Sequence, residues 1–186
     1  MDGLQGRDVA FLVAPEGVEE AELTSPWRAV VDAGGTPHLI STEVGPIQAF
    51  DHLDRGGSYQ AESEVGKCNV RDYNALVLPG GVASPDYLRT RPEAVAFARS
   101  FFDSGKPVAA ICHAPWLLAE AGVLEGRTVT SWPSLHTDLV NAGARWVDQE
   151  VQVCISGPNT LITSRKPQDL PSFNQVMIEE FGKVNL

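Results

Sequence analysis

Apolar residues fall along this chain in two alternating rhythms. Short aliphatic, often β-branched runs at residues 9–13, 38–40, 75–78, 108–111, 128–131, 151–154 and 161–164 read as strands. Between many of them the spacing becomes helical. Leu23, Trp27, Val30 and Val31 form one apolar stripe that stops at Gly34-Gly35, and Pro26 is expected to kink or restart that helix. Ala94, Phe97, Ala98 and Phe101 form a second, opened by Pro92 and closed by Gly105. Further helices are expected over 117–122, over 134–142 before Gly143, and over 171–181. Strand and helix alternate, which predicts an α/β sandwich around a mainly parallel sheet. Residues 45–69 break the rhythm: polar and glycine-containing, they predict a hairpin or an excursion outside the main sheet.

The 186 residues fit one domain spanning 1–186, long enough to bury roughly 70% of the surface of the unfolded chain. Cys68, Cys112 and Cys154 are widely spaced and form no C-x-x-C pair, so neither a disulfide framework nor a zinc site is indicated, and a reducing compartment is expected. Asp2, Arg7, Asp8, Glu16 and Glu19 leave no room for a secretory signal in the first twenty residues. No apolar run approaches the ~20 residues of a membrane span, so the expected location is the cytoplasm. A net charge of -10 opposes binding to nucleic acid or anionic lipid. The chain has no Rossmann fingerprint, Walker loop or H-E-x-x-H pattern; no cofactor and no metal are expected.

In parallel sheets ligands gather beyond the carboxyl ends of the strands, and the loops 15–22, 79–87 and 112–115 all follow strands. The last is the most informative. Cys112 stands where the apolar strand 108–111 turns abruptly into a helix containing Trp116 and Leu117, with small Ala110 and Ala114 two residues to either side. A sharp strand-to-helix elbow needs small residues there, and it exposes its central side chain at the sheet edge. The unpaired amides of the following helix favour a thiolate. The alternative is a small buried core cysteine. His113 follows directly, but neighbours in a helix or strand do not face one another, so its use as a base for Cys112 stays open. Trp116 and Trp132-Pro133 suit either a pocket rim or ordinary packing. Cys154 reads as strand core and Cys68 as an unactivated loop thiol, while His38, His52 and His136 read as structural or solvent-facing.

The ordered segments EGVEEAEL, NALVLPGG, GKPVAAICHAPWLLAEAGVLEGRTVTSWP, NAGARWVDQEV and LITSRKPQDL, spread over residues 7–182, resemble the ThiJ/PfpI family. That family belongs to the class I glutamine amidotransferase-like superfamily, and the likeness is to its intracellular protease I branch. The resemblance implies a flavodoxin-like sandwich and a homodimer or higher homo-oligomer. Members of the family act as peptidases, glyoxalases, deglycases, chaperones or redox sensors, so fold and site transfer better than substrate. Carried over by motif, Cys112 is the nucleophile, His113 its adjacent histidine and Glu19 the acid near the thiol. A carboxylate beside a thiolate raises the thiol pKa, so an acid in contact with sulfur should be protonated. Asp86 matches an acid that reaches His113 from the neighbouring subunit, although the usual residue there is glutamate. The amides of Gly81 and His113 are expected to form an oxyanion pocket. The implied role is a stress-response protein whose Cys112 acts on reactive carbonyls or glycated adducts. Alternatives are a sensor working through oxidation of Cys112 and an intracellular cysteine peptidase.

Overall fold

In the computed structural model, residues 3–183 are described. Strand β1 (Asp8–Leu12) leads through β2 (Glu16–Glu19) into α1 (Glu20–Asp32), followed by β3 (Thr36–Ser41). A hairpin of β4 (Gly45–Asp51) and β5 (Asp54–Ala61) and a short β6 (Ser63–Glu64) come next. Then follow β7 (Ala75–Leu78), α2 (Ala83–Arg89), α3 (Pro92–Asp103), β8 (Val108–Ile111) and α4 (Pro115–Glu120). The rest comprises β9 (Thr128–Val129), α5 (His136–Asn141), β10 (Arg145–Trp146), β11 (Val151–Cys154), β12 (Leu161–Ser164) and α6 (Leu170–Gly182).

Seven strands form the central sheet in the order β11-β12-β8-β7-β1-β3-β6. Its pairs are parallel except β11 against β12. Both faces are covered, so the central strands are buried throughout rather than alternating in polarity. The pleat divides the core in two. Val108 and Ala110 of β8 join Phe97, Phe101 and Leu117 on the face of α3 and α4. Ala109 and Ile111 join Leu23, Val30, Phe173 and Met177 on the face of α1 and α6. This is the α/β sandwich that the alternation predicts, in the flavodoxin-like form that the resemblance implies.

Two local expectations change. Pro26 neither breaks nor restarts α1, which runs on through it with Glu22, Leu23, Pro26 and Val30 on its buried face. Burying that stripe outweighs the bond the proline removes, a loss of ~3 kcal/mol in an exposed helix. The strand expected at 128–131 shortens to β9, which pairs with β10 outside the main sheet, because the Thr130 amide donates instead to the Thr163 hydroxyl at 3.0 Å. The excursion at 45–69 is the β4–β5 hairpin, and with β2 it forms a separate three-stranded sheet beside the carboxyl edge of the main one.

Candidate active site

At the end of β8 the backbone of Cys112 adopts φ 63°, which costs a non-glycine residue on the order of 1–2 kcal/mol. Its surroundings hold it there: the Cys112 amide donates to the Ser164 carbonyl at 3.1 Å, and the Cys112 carbonyl accepts from the Trp132 amide at 2.9 Å. The twist also answers the question left open by sequence geometry. In this left-handed conformation the side chains of two consecutive residues converge, with Cys112 Sγ 3.1 Å from His113 Nδ1.

The imidazole of His113 stacks on Trp132, 5.7 Å between centroids and 23° between planes, and meets the edge of Trp116 at 5.1 Å. Trp116 in turn donates to Asp138 at 2.8 Å. Burial pushes the His113 pKa down to about 4, so the ring is neutral at physiological pH and can accept a proton. Both tryptophans, for which packing and rim were equally good expectations, therefore clamp this ring.

The thiol is 5% exposed. Burial pushes its pKa up, and the nearby Glu22 carboxyl pushes it further, while the amides of Gly81 and His113 pull the other way by facing the sulfur. Gly81 has φ +83°, and a Cβ on it would lie 2.4 Å from the Gly17 carbonyl oxygen. Gly80 is tighter still: a Cβ there would lie 2.3 Å from Glu22 Oε2 and 2.6 Å from Cys112 Cβ. The carboxyl and the cysteine thus close on the bare backbone of Gly80 from two sides.

Glu22, not Glu19, is the acid at sulfur. Its side chain is fully buried, and neither carboxyl oxygen has a well-formed hydrogen bond. Both remain in electrostatic reach of Cys112 and of the Gly80 and Gly81 amides. Burial, and then the charge of Glu19, raise its pKa to about 8, so at neutral pH it is mainly the protonated acid. The acid at sulfur is thus protonated, as expected, but stands three positions beyond Glu19. The signal lay in the helical spacing: Glu22 precedes Pro26 and Val30 by four and eight residues, on the face α1 buries. Glu19 ends β2, before the helix, and its Oε2 accepts from the His52 amide at 3.2 Å.

A cavity of about 440 Å³ opens above the sulfur, walled by Gly17, Phe50, Leu53, Val82, Trp132 and Pro167. His52, expected to be structural or solvent-facing, lines it from the β4–β5 turn with φ 55°. Glu19, Asp51 and His52 each bring one ligand-type atom within 4.8 Å of the others and are the residues that could hold a divalent cation, although Asp51 and His52 are exposed. Asp86 is exposed on α2, and none of its hydrogen bonds or ion pairs within the described chain reaches His113. Cys68 is half-buried and accepts from the Tyr73 hydroxyl at 3.6 Å, its pKa raised chiefly by burial.

The model of the DJ-1/PfpI family matches residues 7–180, which include every group just described. The chain belongs to the DJ-1/PfpI family. It is 41% identical over 162 residues to Deglycase PH1704 of Pyrococcus horikoshii, covering 87% of this chain and 92% of that relative. It is 39% identical over 157 residues to General stress protein 18 of Bacillus subtilis, covering 84% and 88%. Among solved structures, a two-domain protein of Anabaena variabilis with DJ-1/ThiJ/PfpI-like and ferritin-like domains superposes with a TM-score of 0.86 at 30% identity, over 95% of this chain and 48% of that one. In this member of the DJ-1/PfpI family the elbow, the double-glycine loop and the start of α1 converge on one sulfur.

Proposed function

We propose that this chain is a stress-protective hydrolase of the deglycase or glyoxalase type, acting through Cys112 on reactive carbonyls or their early adducts. The observation that carries the reading is the strained Cys112, opening into a small-molecule-sized cavity with a neutral histidine and a protonated carboxyl at its sulfur. The names of the relatives, deglycase and general stress protein, support it.

In the first step the Cys112 proton passes to His113 Nδ1 while the sulfur electron pair bonds to the carbonyl carbon. The carbonyl π pair moves onto oxygen, which the Gly81 and His113 amides hold and Glu22 protonates. For a 2-oxoaldehyde, a proton then moves between the two former carbonyl carbons, oxidising one and reducing the other. Addition of water releases a 2-hydroxy acid and restores the thiol. Glu22 is the proton carrier within reach. The cavity volume suits small carbonyls better than an extended peptide, which ranks a peptidase below this reading. Asp86 contributes from a second copy in a homo-oligomer, and the working form is one domain over 1–186 in the cytoplasm. No helix among the described residues is long and apolar enough to cross a membrane.

A second reading has its own support. The protonated Glu22 and the two amides would also hold the oxygens of an oxidised Cys112, which makes oxidation sensing the alternative use of the same thiol. The deciding experiment is the stoichiometry of methylglyoxal consumption by reduced protein, with Cys112→Ser alongside. Many equivalents consumed per thiol, and none in the variant, support catalysis. One equivalent or fewer overturns it in favour of sensing.

A further inference from the structure

The polar groups around the cavity are strongly one-sided. Glu16, Glu19 and Glu22 line it, Asp51 stands beside Glu19 at the hairpin turn, and no lysine or arginine is among the lining residues. None of these four carboxyls takes part in an ion pair among the described residues. Glu19 is 8% exposed, and among the described residues the one hydrogen bond to its carboxylate comes from the neutral His52 amide. Glu22 is the independent observation that points to a ligand: fully buried, with both oxygens unpartnered, it faces into the same space.

From this we infer that the cavity selects by charge. It admits cationic and neutral carbonyl compounds and turns away anionic ones, including carboxylated and phosphorylated carbonyls. Glu19 and Asp51 are the specificity-determining residues. Glu19 lines the cavity that holds the sulfur, Asp51 stands beside it, and apolar walls such as Phe50 and Trp132 strengthen their field. Glu22, mainly protonated at neutral pH, adds hydrogen-bonding capacity rather than fixed charge. The inference deepens the proposed function by naming the charge class of its substrates, but the geometry behind it does not depend on turnover.

The test therefore begins without catalysis. Labelling of Cys112 by a trimethylammonium methanethiosulfonate and by the matching sulfonate is followed by peptide mass spectrometry at pH 7.5 and low ionic strength with EDTA present. Each rate is divided by the same reagent's rate with 2-mercaptoethanol. The normalised ratio of cation to anion is expected to exceed about tenfold, to fall below about threefold in Glu19→Gln/Asp51→Asn, and to shrink in 1 M salt. Asp51→Asn alone, at an exposed position, should lower it partially and guards against misfolding of the double variant. A wild-type ratio near one, or one favouring the anion, overturns the inference. Turnover of methylglyoxal hemithioacetals of thiocholine, 2-mercaptoethanol and 3-mercaptopropionate then separates the two claims. Equal turnover of all three sinks charge selection and leaves catalysis standing, whereas no turnover with the labelling ratio intact sinks the catalytic reading alone.

Discussion

Cys112 and Cys154 are almost equally buried, 5% and 4% exposed, yet they are opposite kinds of thiol. Burial pushes both pKa values up. At Cys112 the Glu22 carboxyl adds to that push. At Cys154 the push is outweighed by donors: the Ser156 hydroxyl at 3.1 Å, the Thr128 and Ser156 amides and the Arg127 guanidinium hold the thiol below its ordinary value. By electrostatics alone, Cys154 would be the better nucleophile. It ends a regular strand and does not line the cavity at Cys112, whereas Cys112 is twisted into the left-handed region beneath about 440 Å³ of open space. The comparison teaches that access and backbone direction choose the working sulfur, and that the proton it holds at rest is managed by partners such as His113 and Glu22.

The sharpest way to break the comparison is to delete each thiol. Cys112→Ser should abolish carbonyl consumption, a loss on the order of a thousandfold or more, while Cys154→Ala should change turnover by less than about twofold. Comparable losses from both would place the chemistry elsewhere.

Next comes the acid at Cys112. Glu22 titrates near 4.5 when unfolded and at about 8 when folded, so between those values the native state holds a proton that the unfolded chain has released. Its stabilising contribution is complete below about pH 4.5 and is lost as pH rises through about 8, by at most roughly 5 kcal/mol. Glu22→Gln should flatten that decline, seen as a melting temperature that falls less than the wild type's between pH 5 and 9. A parallel decline in both proteins would remove Glu22 as its source.

Each thiol also has a glycine pressed against its partner. Gly80→Ala drives a methyl group into the Glu22 carboxyl, Cys112 and the Ile111 carbonyl, and should cost about 2–3 kcal/mol in denaturant unfolding. Gly157→Ala, on an exposed turn, meets the Arg127 guanidinium at 2.5 Å, a side chain rather than backbone, and should cost about 1 kcal/mol less. The smallest effect is a reversal of preference. At position 112 glycine should be more stable than alanine by about 1 kcal/mol because φ is positive, and at 154 alanine should win by about 0.5–1 kcal/mol because the residue lies in a strand.

Periodicity carried most of the fold: the runs at 75–78, 108–111, 151–154 and 161–164 coincide with observed strands, and the first two are continuously apolar because both of their faces are covered. It failed at Pro26, where burial overrode a local preference, and at 130–131, where a threonine side chain took the place of a neighbouring strand. At the site, the elbow was legible in Ala110, Cys112 and Ala114, since steric crowding leaves a sequence trace. The convergence of Cys112 and His113 was not, because it depends on a dihedral angle imposed by Ser164 and Trp132 from distant parts of the chain. Glu22 was within reach of the helical spacing but was masked by three glutamates within four residues. His52 left no signal, as only the hairpin's return path brings it to the cavity.

That hairpin separates what is fixed in this molecule from what is free to change. Phe50, His52 and Leu53 form one wall of the cavity, yet they belong to a sheet that shares no strand with the one carrying Cys112, and Leu53 at its tip is 95% exposed. The turn can therefore lengthen, shorten or be exchanged without disturbing the elbow, as a visor is swapped on a helmet. An enzyme assembled this way can acquire new substrates by remodelling a two-residue connection while the reacting sulfur keeps its geometry.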